Sequence, residues 1–257
     1  MSKPIQVPNK IAIREKQIVA GLFLSKFDKA GLKTLGFSGF TEAFNAIGFA
    51  LGAKPASIKN YRDEFDPIFS SQRKGWHKRP LRAYCKAVSE QYKHLSLAEF
   101  ATLVKSLTYS AGALDILEEK VDDITSTDNS FAKRLITGLA AENYFESVHP
   151  SLPTLQDYRL ENVSRMGCGF DFKLSTNSKP DFLAVEVKGL NDSKGTLSVT
   201  EKEHRVAELL KERFFLFVVR NFRESPFHNI YPNPLNSNLV FSRQEKRTVQ
   251  VSWSLSI

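Results

Sequence analysis

The hydrophobic period of this chain changes midway, and no other feature of the sequence limits its architecture as strongly. Up to about residue 107, apolar residues recur at helical spacing. Ile11, Ile13, Ile18, Val19, Leu22, Phe23 and Phe27 form one such stripe, with Gly31 and Gly36 marking its exit. Past Pro150 and Pro153 the pattern turns to short alternating segments. Phe170–Leu174, a turn at Asn177–Lys179, Phe182–Lys188 and Leu197–Thr200 read as strands, and Phe214–Arg220 as a strongly apolar one. A helix over Phe131–Val148 precedes them, a second over Glu201–Arg213 interrupts them, and a last strand, Arg247–Leu255, follows a loop rich in Pro and Asn. The acidic stretch Leu117–Asp123 and the polar run Thr125–Ser130 separate the two patterns, with 124–129 as the linker. The expected fold is therefore α+β: a helical domain over residues 1–124, then a compact mixed α/β domain over 130–257.

Within the helical half, Thr41 is a good N-cap for a helix carrying Phe44, Ile47, Gly48 and Leu51 and ending near Gly52. Pro55 suits the first turn of the next helix, Ala56–Phe65, which stops before Pro67. Two short helices joined by a tight turn resemble a helix-turn-helix, with Ser57, Lys59, Asn60 and Arg62 placed to face a major groove. An ordinary helical hairpin is the other reading of the same pattern. The segment behind it holds Arg73, Lys74, Lys78, Arg79, Arg82, Lys86 and Lys93 against one acid, Glu90. Arg73, Lys74, Trp76, His77, Lys78 and Arg79 are candidates to contact phosphates beside a groove-reading helix. The net charge of +8 over 257 residues agrees with a polyanionic partner, double-stranded DNA. Ser96 is a further N-cap, for a helix reaching Leu107.

Other classes of protein fit poorly. No apolar run approaches the length of a membrane span, and no apolar signal segment follows the polar start. The two cysteines, Cys85 and Cys168, fit a reducing cytoplasm, and they and the five histidines show no zinc spacing.

The chemistry concentrates on one strand. Alternation within Phe182–Lys188 puts Ala184, Glu186 and Lys188 on one face and Leu183, Val185 and Val187 on the other. An acid and a lysine side by side on a half-buried strand are either a weak ion pair at an exposed edge or part of a metal site. Asp171, between Phe170 and Phe172 and just after Gly167-Cys168-Gly169, supports the metal site. A hairpin through Asn177–Lys179 would bring its carboxylate to that of Glu186, and two oxygen donors with open positions suit Mg2+.

Gly169-Phe170-Asp171 followed by Val185-Glu186-Val187-Lys188-Gly189 resembles the PD-(D/E)xK nuclease superfamily. Leu197–Thr200 with Glu203 and Ala207, then Phe214–Val219, resembles its branch with a NOV-type C-terminal domain, where Thr-x-x-Glu opens the helix after the catalytic strands. The likeness covers roughly 131–235. It implies a restriction-endonuclease-like mixed sheet flanked by helices, with Asp171, Glu186 and the Val187 carbonyl as Mg2+ ligands. Lys188 would orient or deprotonate the attacking water. The superfamily often adds an acid from the helix before the sheet. Glu142, on the apolar stripe seven residues after Leu135, fits, though bordering that stripe is an equal explanation. Glu203 would support the site, with Thr200 as N-cap, or be a plain helix-face residue. The literal Pro180-Asp181 lies five residues before Glu186, at the start of the same strand. Asp171 is thus favoured over Asp181 as first ligand.

The leading expectation is a Mg2+-dependent restriction endonuclease of type II, most simply a homodimer on a two-fold symmetric site. A repair or mobile-element nuclease reading DNA structure, or a DNA-binding regulator with an inactive nuclease domain, are the alternatives.

Overall fold

The computed structural model describes residues 12–69, 73, 80–108, 128–245 and 253. The helical region comprises α1 (Ile13–Thr34), α2 (Phe40–Ala50), α3 (Pro55–Phe65), α4 (Ala83–Tyr92) and α5 (Leu97–Thr108). The expected stripe holds α1 in the core through Ile18, Val19, Leu22 and Phe23. The helix nevertheless runs past Gly31, across a kink at Asp28 (φ 48°, ψ −128°). Expected caps were partly realised. Pro55 opens α3, and Ser96 and Glu99 cap α5 reciprocally, each side chain accepting the other's backbone N–H. Thr41 does not cap α2. That helix starts two residues earlier, because the Ser38 N–H and hydroxyl both donate to the Glu42 carboxylate (2.7 and 2.6 Å) and Gly39 takes the cap position.

Helix α6 (Asp128–Val148) leads into the sheet, formed by β1 (Arg159–Asn162), β2 (Phe172–Thr176), β3 (Lys179–Gly189), β4 (Phe214–Arg220) and β5 (Phe227–Pro232). Spatial order follows chain order, antiparallel throughout except for the parallel pair β3–β4. A parallel pair needs a crossover, supplied by α7 (Glu201–Leu210). Two corrections concern strands. Leu197–Thr200 is not one: it is extended but leads straight into the N-cap of α7 and joins no ladder among the described residues. Phe227–Pro232, read from sequence as loop, is the outer strand β5, where a terminal proline is tolerated. The expected strand Arg247–Leu255 and the basic positions 74–79 lie outside the described residues.

Phe145 of α6 sits against Phe172 and Phe217 of the sheet, with ring centroids 4.9 and 4.8 Å apart. On its far side, Asn143 Nδ2 donates to the carbonyls of Phe49 and Ala50, closing the C-terminus of α2 (2.9 and 3.1 Å). Asn45 Nδ2 reaches the carbonyls of Phe222 and Glu224 beyond β4 (2.8 and 3.0 Å). Buried side chains from α1, α2, α5, α6, β2, β3 and β4 form one continuous cluster. The helical region and the sheet thus share a core, with α6 as the common wall. Among the described residues no helix is long and apolar enough to cross a membrane.

Candidate active site

Strand β3 is the centre of the sheet, and its two faces differ in chemistry as its alternation requires. Val185 and Val187 pack into the shared core beneath α6. Ala184, on the other face, meets Phe214 of β4 and Ala207 of α7, with Val206, Leu210 and Leu235 around them. Glu186 and Lys188 continue that second face toward the start of α7. The register pairs Glu186 with Leu216 and Lys188 with Val218, so apolar strand residues flank both charges.

Glu186 is 4% exposed. Its Oε1 lies 2.5 Å from Lys188 Nζ, which also donates to Glu203 Oε2 at 2.8 Å. The same Glu203 oxygen accepts the N–H of Thr200 (2.9 Å), while Thr200 Oγ1 accepts the N–H of Glu203 (3.2 Å), a complete capping box. Asp171 enters from the strand before. Its N–H donates to the Val185 carbonyl (3.0 Å), and its Oδ2 accepts the N–H of Val187 (2.8 Å), between the two charged residues of β3.

These neighbours set the charge states. Burial, then the Asp171 charge, pushes the Glu186 carboxyl well above the usual carboxylate range, against the pull of Lys188. Burial opposes the Lys188 charge, but Glu186 and Glu203 outweigh it and hold the ammonium above the ordinary lysine value. Burial likewise works against the Glu203 carboxylate, yet Lys188 and the Thr200 N–H keep it below its usual value. Lys188 is therefore a fixed cation gripped by two acids, with a third acid beside one of them. Among the described residues no group of three or more His, Cys, Asp or Glu side chains forms a ready-made metal cage. The donor set nevertheless suits a hard cation: Mg2+ takes one or two carboxylates and fills its other positions from solvent and phosphate. The mutual repulsion of Asp171 and Glu186 is what such an ion relieves.

Other expected residues fall elsewhere. Pro180 and Asp181 start β3, and Asp181 Oδ1 pairs with Arg213 (2.9 Å), away from Glu186. Glu142 is half-buried on α6. On α3, Ser57 is half-buried, Asn60 is exposed, and exposed Lys59 pairs with Asp63 (2.7 Å). Arg62 is turned inward, contrary to its expected outward position. It bonds Asp63 and lies over the rings of Phe40 and Phe44, 4.7 and 5.0 Å from their centroids. Arg73 is also drawn in, against Asp66 (2.7 Å), Asp28 (2.5 Å) and the Ser25 carbonyl (3.2 Å). Lys74, Trp76, His77, Lys78 and Arg79 lie outside the described residues.

Sequence reasoning missed the wall of the site. Val199, Ala207, Phe214, Leu235 and Phe241 line a narrow crevice with Glu186 and Glu203. Val199, Ala207 and Phe214 fall in segments the sequence marked, whereas Leu235 and Phe241 arrive from a stretch with no pattern. A family model described as "Protein NO VEIN, C-terminal" matches residues 142–231, which span the site from α6 to β5. No curated protein and no solved structure matches the chain.

Proposed function

We propose that this protein is a Mg2+-dependent endonuclease that hydrolyses phosphodiester bonds in double-stranded DNA, built on a restriction-endonuclease-like sheet. The observation that carries this reading is the Lys188 ammonium held between buried Glu186 and Glu203, with Asp171 accepting the Val187 N–H between Glu186 and Lys188 on β3. The match to the NO VEIN C-terminal family, a domain linked to PD-(D/E)xK-like nucleases, supports it.

Asp171, Glu186 and the Val187 carbonyl would hold the ion, which when bound supplies Lewis acidity at the scissile phosphate. The chain's own groups do the rest. Lys188, kept protonated by its two acids, offsets negative charge developing on the phosphoryl oxygens and orients the nucleophile. Both partners favour the state that holds the proton, so in this reading its part is to position the nucleophile. Glu203 fixes the lysine, and Thr200 fixes Glu203 through the helix cap. The apolar wall of Ala207, Phe214 and Leu216 limits water around Glu186, which strengthens every charge interaction there.

In this reading the enzyme is of the type II restriction kind and works as a homodimer, with α2–α3 as a helix-turn-helix presenting Ser57, Lys59 and Asn60. The test is digestion of a defined plasmid by purified protein with Mg2+ or with EDTA, followed by end mapping. Discrete Mg2+-dependent fragments are expected, and Glu186→Ala and Lys188→Ala should cut nothing while still binding DNA. Full cleavage by either variant overturns the assignment.

A further inference from the structure

Between β1 and Asp171 the chain makes a turn whose outward side chains have no packing role. Residues Ser164–Met166 form one turn of 3₁₀-helix, and the backbone around it is tied at many points. The Val163 N–H donates to the Asp171 carbonyl (2.8 Å) and the Met166 N–H to the Val163 carbonyl (2.8 Å). Asn162 Oδ1 accepts both the N–H and the hydroxyl of Ser164 (3.2 and 2.8 Å). Lys202 Nζ, from α7, donates to the Gly167 carbonyl (3.2 Å). Gly167 and Gly169 take positive φ (61° and 89°), and a Cβ on Gly169 would meet Val206 Cγ2 at 2.9 Å, so the turn lies flat against α7.

These ties join the turn to both halves of the site. It runs covalently into Asp171, and Lys202 is the neighbour of Glu203, which holds Lys188. A turn fixed this firmly has no structural need for a long apolar side chain in water. Yet Met166 is 72% exposed, and Arg165 beside it is exposed too. Side by side, a cation and an unbranched, polarizable thioether suit a nucleic acid strand: the guanidinium for a phosphate, the thioether for a base face. Apolar side chains of this kind wedge between base steps in proteins that bend duplexes.

We propose that the Arg165–Met166 turn is a DNA-contacting element of the site, with Arg165 on a phosphate flanking the scissile bond and Met166 against the bases. The proposal rests on the nuclease reading for its ligand but is tested by binding. A fluorescent duplex carrying 2-aminopurine is titrated without divalent ions against full-length wild type, Arg165→Ala, Met166→Ala and the control Lys33→Ala, an exposed cation on α1. Losing one charge-assisted phosphate contact should weaken binding about tenfold for Arg165→Ala. Met166→Ala should lose the 2-aminopurine signal that marks unstacked bases. Lys33→Ala should bind as wild type, and thermal melts of both turn variants should match wild type, because neither side chain packs.

Unchanged affinity and unchanged base signal in both turn variants overturn the proposal, as does a wild type that binds no duplex. A wild type that binds through the turn but cuts nothing with Mg2+ sinks the nuclease reading and leaves this one standing. Undiminished cleavage by both turn variants does the reverse.

Discussion

The helical region and the sheet both bury acids, but they neutralise them differently. In the helical region each buried acid has a cation assigned to it. Asp66, fully buried, receives two bonds from Arg73; Glu64 is met by Arg82; and Glu42 by Lys133 at 2.5 Å. Burial works against the charges of Glu42 and Glu64, but their partners prevail and hold both below the ordinary carboxylate value. On the sheet, Glu186 and Glu203 share the ammonium of Lys188 while the Asp171 charge acts on Glu186, which is pushed the other way. Balanced burial is a device of structure. Two carboxylates on one lysine with a third acid beside them are stable only as a compromise, an imbalance that a further cation would relieve.

Removing a charge from each cluster should separate the two roles most sharply. Glu186→Gln is expected to lower the cleavage rate by at least about 10³-fold, read in single-turnover assays, while its melting temperature stays level or rises. Asp66→Ala leaves the Arg73 guanidinium half-buried without its main partner. It should cost about 3 kcal/mol in urea unfolding and leave the chemistry of any folded protein intact. A variant that instead lost activity without losing stability would break the comparison.

Divalent ions give the next effect. Ca2+ or Mg2+ at about 100 times its dissociation constant should stabilise wild type by about 2.7 kcal/mol and Glu186→Gln far less, measured by thermal melts in each ion. A rise equal in both would place the ion elsewhere. The acid response comes after it. Glu42 and Glu64 have depressed folded values, so their contribution is complete above the unfolded carboxylate value of about 4.3 and is lost as the pH falls through the folded values. Urea midpoints should therefore drop between about pH 5 and about pH 3, and less steeply in Glu64→Gln. Lys59→Ala, which removes an exposed lysine from an Asp63 that Arg62 also holds, should change stability by less than about 0.5 kcal/mol.

The same contrast explains what the sequence could reveal. Alternation on Phe182–Lys188 was enough to put Glu186 and Lys188 on one face, because a strand at the middle of a sheet has a strong apolar side. It was not enough at β1, where Arg-Leu-Glu-Asn on an edge buries too little to leave a pattern, nor at β5, whose proline and asparagines read as loop. Leu197–Thr200 failed the other way: its alternation is real, but those residues lead into a helix cap. Basic residues were easy to count and hard to place. Nothing local marks Arg62 and Arg73 as internal, since the acids and rings that draw them in include Phe40, Asp28 and Asp66, which only the packing of α1, α2 and α3 brings near. Pro180-Asp181, set aside on sequence in favour of Asp171, lies beside Arg213.

One oxygen, Oε2 of Glu203, accepts both the Thr200 N–H and the Lys188 ammonium. A helix start and a reactive cation therefore share a single point of failure. Shortening this side chain to aspartate would let down both at once, so natural selection acting on folding alone would also preserve the alignment of the lysine. A lineage that ceased to need the chemistry would still find this glutamate hard to lose, and would shed Lys188 first.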